Sequence, residues 1–162
     1  MKHGPAMNAL LKTALVTWIA AGCLVCGAAG EAETETEKDC PQTASDMPPD
    51  ALYGRWEARF ERAEGASSPE IAGVQLSRHP EYAGSVRGTL VRDDKATAQL
   101  AGDIDDTGVL TLDESTDGTT IAALWSGDLQ PGSCGRTFQG TRRDSDDDST
   151  RPFVLHKTGD LP

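Results

Sequence analysis

The sequence is poor in the residues on which many binding functions depend. Of its 162 residues 5% are aromatic, and 15 are lysine or arginine against 26 that are aspartate or glutamate. The scarcity of aromatic residues indicates a small core of aliphatic and small side chains. The formal net charge of −11 argues against nucleic-acid binding and against electrostatic docking on anionic lipid, because both need clustered cations.

Reactive side chains are also few. After the first 30 residues the histidines are His79 and His156, and neither has a serine or cysteine nucleophile in a recognisable pattern beside it. Ser133 lacks the glycine-flanked nucleophile elbow. The sequence has no His/Cys cluster with zinc spacing and no glycine-rich phosphate loop. It therefore favours a non-enzymatic protein that needs no cofactor.

The first 30 residues differ in composition from the rest of the chain. Residues 13–29 carry no charge, Lys2 and Lys12 precede them, and small residues end the run, which is typical of a secretory signal. A lipoprotein signal is an alternative, because Ala-Ala-Gly-Cys ending at Cys23 resembles the bacterial lipobox; a membrane anchor is another. Beyond this segment no apolar run approaches the roughly 18–20 residues that span a bilayer. We expect a periplasmic or extracellular protein released by ordinary signal cleavage; in the lipoprotein alternative, a lipid on Cys23 is its one attachment to a membrane.

The remaining chain divides into two parts. Residues 31–50 begin with alternating glutamate and threonine and contain three prolines, which predicts a flexible acidic tether. Residues 51–162 are predicted to form the folded domain. Removal of the signal leaves Cys40 and Cys134 as one pair, which suits a disulfide in an oxidising compartment.

From residue 53 onward apolar and polar residues alternate. In the first run Trp56, Ala58 and Phe60 occupy even positions and charged residues occupy the odd positions between them, as in a half-buried strand. Seven further runs show the same rhythm: residues 71–78, 85–92, 96–104, 109–114, 119–127, 137–142 and 153–157. Turn-forming residues separate nearly all of them, and no convincing helix intervenes. We predict an all-β fold, an eight-stranded antiparallel up-and-down barrel, with a two-sheet β-sandwich as the alternative.

A barrel of this kind places successive connections at alternating ends. Cys40, just before the first strand, and Cys134, between the sixth and seventh, then share one end and can form a disulfide. The opposite end gathers acidic loops, which we interpret as the surface that binds a partner. Its predicted residues are Asp93, Asp94, Asp117, Asp144, Asp146, Asp147 and Asp148.

The start of the first strand carries a resemblance. The tripeptide Gly54-Arg55-Trp56 resembles the Gly-x-Trp that opens the first strand of lipocalins and related calycins, including avidins, in which the tryptophan plugs one barrel end. The pattern of the later strands resembles small exported bacterial β-barrel proteins of unassigned function. The resemblance implies a calycin-like barrel.

Many inward positions hold glycine or alanine, which leaves the interior volume open to two interpretations. A void can remain, holding a small apolar ligand. Alternatively, the core is dry and the small residues allow close contact between sheets. The aromatic residues that would line a ligand cavity are Trp56, Phe60, Trp125 and Phe138.

Residues 103–114 match the spacing of a calcium-binding loop. Its ligand positions are Asp103, Asp105, Thr107, Thr111 and Glu114. Such a loop needs flanking helices, whereas residues 109–112 alternate as a strand. A β-hairpin turn is therefore the favoured interpretation, and no metal site is predicted.

Two functions fit these features. The first is a protein-binding module of the cell envelope, such as an inhibitor of a hydrolase, since an acidic loop end attracts a basic partner such as lysozyme. The second is a carrier of a small apolar ligand inside the barrel.

Overall fold

The structure, a computed structural model, describes residues 40–61, 68–93 and 95–161. Each strand pairs antiparallel with the next in sequence, and β8 pairs with β1, so the sheet closes into a barrel. The strands are β1 (Gly54–Phe60), β2 (Glu70–Arg78), β3 (Val86–Arg92), β4 (Thr97–Ile104), β5 (Leu110–Ser115), β6 (Ala123–Leu129), β7 (Thr137–Asp144) and β8 (Thr150–Gly159). The predicted up-and-down barrel is confirmed, and the sandwich alternative is wrong.

The strand bounds follow the alternation closely in six strands, whereas β8 extends beyond the predicted residues 153–157 at both ends and β6 starts late. Strand β6 begins at Ala123 and not at residue 119. The Asp117 carboxylate accepts hydrogen bonds from the backbone N–H groups of Thr119 and Thr120, at 2.8 and 2.7 Å. These bonds hold both threonines in a turn, although β-branched residues favour strands.

The core lies inside the barrel and follows the predicted parity. Trp56, Ala58 and Phe60 are buried, with exposed fractions of 2% or less. Glycine at inward positions lets strands approach closely. A Cβ atom on Gly102 or Gly140 would overlap a carbonyl oxygen of the neighbouring strand. At these positions the small residues serve close packing of the backbone, as the dry-core interpretation requires.

One end of the barrel, which we call the closed end, is covered by a strap of residues 40–52. The strap contains two short 3-10 turns, Ala44–Asp46 and Pro49–Leu52. It buries Ala44, Met47 and Leu52 against the barrel. Residues 40–50, predicted as part of a flexible tether, form most of this strap, and the burial of these three apolar side chains attaches it to the barrel. Residues 31–39 lie outside the described residues.

Two side chains of the barrel hold the strap from below. The Trp56 indole N–H donates to the Leu52 carbonyl at 2.9 Å, and the Lys157 ammonium donates to the Ala51 carbonyl at 3.0 Å. The same ammonium lies 5.9 Å from the centre of the Trp56 ring. Trp56 thus closes this end of the barrel, in the position that the Gly-x-Trp resemblance implies.

A disulfide joins the strap to the barrel. Cys40 is bonded to Cys134 in the connection between β6 and β7, with 4.5 Å between the Cα atoms. The predicted pairing is confirmed, and the bond fits an oxidising environment. The predicted signal and the lipidation candidate Cys23 lie outside the described residues. Among the residues that the structure describes, no helix is long and apolar enough to cross a membrane.

Candidate functional site

The opposite end, which we call the open end, has a layer of charged side chains beneath its loops. Strands β1, β3, β5 and β7 end here, and the other four begin here. At this end five charged residues occupy inward-facing positions of their strands, each next to the last inward residue of the apolar core. This charged layer consists of Glu70, Arg92, Glu114, Arg142 and Arg151.

Glu114 is the centre of the charged layer. Its side chain is 1% exposed, yet each carboxylate oxygen accepts hydrogen bonds. Arg92 Nη2 donates at 2.7 Å, Arg142 Nε at 2.9 Å and the Trp125 indole N–H at 3.0 Å. Burial by itself would raise the pKa of Glu114, but the hydrogen bonds and charges of Arg142 and Arg92 outweigh it, and the pKa is lowered. Glu114 is therefore an ionised, fully paired carboxylate.

Glu70 is the second acceptor of the charged layer. One of its carboxylate oxygens accepts a hydrogen bond from Arg92 Nε at 2.9 Å, and the other accepts one from Arg151 Nη1 at 2.6 Å. Burial would raise its pKa, whereas Arg151 and Arg92 lower it more strongly. The Arg151 guanidinium lies 5.2 Å from the centre of the Phe60 ring. Its Nε is buried and has no hydrogen-bond partner among the described residues.

Above and between these groups lies a cavity of about 590 Å³ that opens to solvent. We call it the mouth. Phe60 is an apolar part of its lining, and Thr116 and Ala122 come from the connection between β5 and β6. The carboxylates of Asp93, Asp144 and Asp146 line it in addition to the charged layer.

The predicted acidic residues that the structure describes lie at the open end, in different environments. Asp117 caps its own turn, and hydrogen bonds from Thr120 and Thr119 lower its pKa. Asp147 accepts the Ser149 N–H at 2.9 Å, and Asp148 pairs with Arg143 at 2.6 Å.

Three of the acidic residues line the mouth itself. Asp144 accepts from Arg142 at 3.3 Å. Asp93 and Asp146 are exposed and accept no hydrogen bond from the described residues. Asp94, also predicted for this surface, lies outside the described residues.

The four predicted cavity-lining aromatic residues lie in the core and contact other rings. Trp56 packs against Phe138 with ring centres 6.0 Å apart, and Phe60 meets Trp125 edge-on at 5.1 Å. Trp125 also packs against Phe153 at 4.8 Å. Of the four, Phe60 lines the mouth.

The calcium-loop candidate, residues 103–114, forms the hairpin between β4 and β5. Asp105 caps a hairpin turn by accepting the backbone N–H groups of Thr107 and Val109, at 2.9 and 3.0 Å. Asp103 and Thr111 face each other across the β4–β5 ladder at the closed end. Glu114 lies near the other end of β5 and points inward, because strand parity requires it. Among the residues that the structure describes, no group of acidic, histidine or cysteine side chains is arranged to hold a metal ion.

Sequence reasoning missed the charged layer, although a signal for it is present. Each member occupies the next inward-facing position of its strand, two residues beyond an inward-facing small or apolar residue. The pairs are Ala72 and Glu70, Leu90 and Arg92, Leu112 and Glu114, Gly140 and Arg142, and Phe153 and Arg151. Extending the alternation past the last apolar residue would have found all five.

Comparison with known proteins gives the chain no family. No protein-family model matches it, and no curated protein is significantly similar to it. The eight-stranded antiparallel barrel is compatible with a calycin-like fold.

Proposed function

We propose that this protein is an exported, non-enzymatic binding protein of the cell envelope. In this proposal a basic protein partner docks on the open end, in the manner of an inhibitor bound to a basic hydrolase. One observation carries the proposal. The arginines of the charged layer are already paired with carboxylates, whereas Asp93 and Asp146 at the mouth are exposed and have no ionic partner among the described residues.

The charge of the open end supports a basic partner. Among the described residues, the exposed cations beside the acidic loops are Lys95 and Arg143, and Arg143 pairs with Asp148. An approaching cationic surface therefore meets excess negative charge before contact. Such a field raises the association rate and matters less as salt screens it. The described acidic residues of this surface are Asp93, Asp117, Asp144, Asp146, Asp147 and Asp148.

Export is supported by the disulfide and by the sequence of the first 30 residues. A disulfide between Cys40 and Cys134 persists in oxidising compartments such as the periplasm. Membership of the lipocalin or avidin group within the calycin-like folds is part of the same proposal, and rests on Gly54-Arg55-Trp56 and the position of the tryptophan at the closed end.

The second function, a carrier of a small apolar ligand, has less support. The rings that would line its cavity pack against one another in the core. Phe60, which reaches the mouth, is covered by the Arg151 guanidinium. An apolar ligand entering the mouth would have to displace charged groups from their partners.

The experiment is an association-rate measurement against a panel of basic hydrolases that includes egg-type lysozyme. Salt is varied from 0.01 M, where the Debye length is about 30 Å, to 0.15 M, where it is about 8 Å. We expect fast association at low salt. Replacing Asp146, Asp147 and Asp148 with asparagine should slow it and flatten its salt dependence.

A matched control removes the same charge elsewhere. Asp50, Asp106 and Asp128 are exposed acidic residues toward the closed end, and replacing all three with asparagine should leave the rate nearly unchanged. The proposal would be refuted if both variants slowed association equally, or if the open-end variant left the association rate unchanged. It would also be refuted if no member of the panel bound.

A further inference from the structure

The outer side of strands β2, β3 and β4 carries almost no charge. Charged residues make up 25% of the chain, and the neighbouring strand β1 points Arg55, Glu57 and Arg59 outward. On β2 to β4, by contrast, neighbouring outward positions hold a single charge, that of Arg87. We call this surface the neutral face. Its outward residues are Ile71, Gly73, Gln75, Ser77, Arg87, Thr89, Val91, Thr97, Gln99 and Ala101.

Exposed apolar side chains flank the neutral face on both sides of β4. Val91 on β3 is 44% exposed, and Ile121 in the connection between β5 and β6 is 45% exposed. Gly73, the cross-strand neighbour of Val91, leaves open space, because a Cβ atom there would meet no atom within 4 Å. An open groove of about 730 Å³ runs across the face, and Ile121 lines it. Apolar side chains gathered around an uncharged surface are typical of an interaction site.

Two opposite charges lie at the same level of this surface, at equal distances from β4. Arg87 on β3 and Asp113 on β5 are both cross-strand neighbours of Ala101 on β4. Both side chains are exposed, and neither has an ionic partner among the described residues. Neighbouring strands are about 4.8 Å apart, so the backbones of Arg87 and Asp113 are roughly 10 Å apart, with Ala101 midway between them.

This arrangement is complementary to itself. A half-turn about an axis along β4 exchanges the β3 side of the face with the β5 side. In a second copy placed face to face by that rotation, Asp113 lies opposite Arg87 of the first copy, and the reverse pair forms as well, as a two-fold interface requires. The same rotation brings Ile121 of each copy to the side where Gly73 leaves open space. Ala101 lies on the axis, where its small side chain allows the two sheets to approach.

We propose that the neutral face binds a second copy of this chain in a two-fold dimer whose axis runs along β4. Strands β2 to β5 present a surface of roughly 20 by 23 Å, or about 450 Å² a copy. The two copies together bury about 900 Å², near the lower limit of specific interfaces, so we expect a weak dimer with a Kd in the micromolar range. Both open ends of such a dimer point the same way. The inference does not rest on the proposed function, because it uses the side of the barrel and not the acidic loops.

The test is sedimentation equilibrium of the natural protein over a range from about 1 to about 500 μM, which brackets a micromolar Kd. Salt is held at 0.15 M, where the Debye length of about 8 Å screens the general repulsion between two acidic copies. Arg87→Glu and Asp113→Arg should each raise the Kd of the dimer roughly tenfold or more, because each change places like charges opposite each other twice. The double variant restores opposite charges and should return the Kd to within about threefold of the natural value.

A matched control separates the ion pairs from net charge. Asp113→Arg makes an acidic chain less negative, so general repulsion alone predicts tighter association, whereas the proposed interface predicts weaker association. Asp128→Arg makes the same change in net charge at an exposed outward position of β6, outside the neutral face, and should not weaken the dimer. Ile121→Ser should raise the Kd several-fold, because it removes an apolar contact with the second copy. All the substituted residues are exposed, so each variant should unfold close to the natural protein.

A protein that stays monomeric at every concentration would overturn the dimer. The dimer through this face would also be overturned if either single charge reversal left the Kd unchanged, or if the double variant stayed as weak as the single ones. These outcomes are distinct from those of the proposed function. Binding of a basic hydrolase by a monomeric protein would overturn the dimer and support the open-end proposal, and a dimer that binds no basic hydrolase would do the opposite.

Discussion

The two ends of the barrel are closed in different ways. At the closed end an apolar strap, the Trp56 ring and one lysine ammonium seal the interior, and the Cys40–Cys134 disulfide attaches the strap. At the open end the last inward layer is charged, Glu114 is buried within it, and a cavity remains above. One end is sealed by apolar burial and the other by paired charges.

The difference supports the proposal that the open end binds the partner. Apolar burial stabilises a fold directly, whereas a buried ion cluster loses much of its attraction to desolvation and is often no better than apolar residues of the same size. The closed end is therefore explained by stability alone. The charged layer offers little advantage in stability, and this favours the open end as the binding end.

The largest expected effect is at the closed end. Trp56→Ala should lower the free energy of unfolding by about 3–5 kcal/mol, because it removes a buried ring that contacts Phe138 and holds Leu52. Trp56→Phe keeps a ring and loses the hydrogen bond, so its effect should be nearer 1 kcal/mol. Denaturant unfolding measures both. A midpoint for Trp56→Ala close to that of the natural protein would show that the strap and Trp56 do not seal this end.

The corresponding change at the open end is Glu114→Gln. It keeps the size of the side chain but leaves Arg92 and Arg142 without their shared buried carboxylate, which should cost about 3 kcal/mol. Asp113→Asn, the outward neighbour on β5, is the control and should change the stability little. If the two variants unfold at the same denaturant concentration, the charged layer does not stabilise the open end.

The third prediction concerns the disulfide. Replacing Cys40 and Cys134 together with serine should cost about 2–4 kcal/mol, since the bond closes a loop with a sequence separation of 94. Hydrogen exchange should then rise in the strap and stay unchanged in β3 to β5. Faster exchange throughout the barrel would mean that the disulfide holds more than the closed end.

A smaller effect on the free energy of unfolding is expected at acidic pH. The pKa values of Glu114 and Glu70 are lowered in the folded state by their arginine partners. Their contribution to stability is present above the unfolded-state pKa, about 4.3, and is lost as the pH falls through the lower folded-state values. The free energy of unfolding should therefore decrease below about pH 4, less steeply in Glu114→Gln than in the natural protein. Parallel pH profiles for the two proteins would contradict this assignment.

The sequence predicted the closed end better than the open end, for a physical reason. Alternation fixed the strand parity, and the parity together with the alternating connections placed Cys40 beside Cys134. The strap was missed because Ala44 and Met47 are isolated apolar residues in a polar, proline-containing segment, and their burial depends on the barrel end beneath them. The charged layer was missed because charged residues such as Arg92 and Glu114 usually face solvent, so their inward parity was not followed past the last apolar residue of each strand.

The most direct test of the difference between the ends is a map of backbone amide chemical shifts during titration with egg-type lysozyme at about 0.01 M salt, where charge steering is strongest. The account predicts shifts in the open-end loops, at Asp93, Thr116 and Asp146, and none at Met47 or Cys134. Shifts centred on the closed end, or no shifts anywhere, would contradict the claim that this protein binds its partner through the open end.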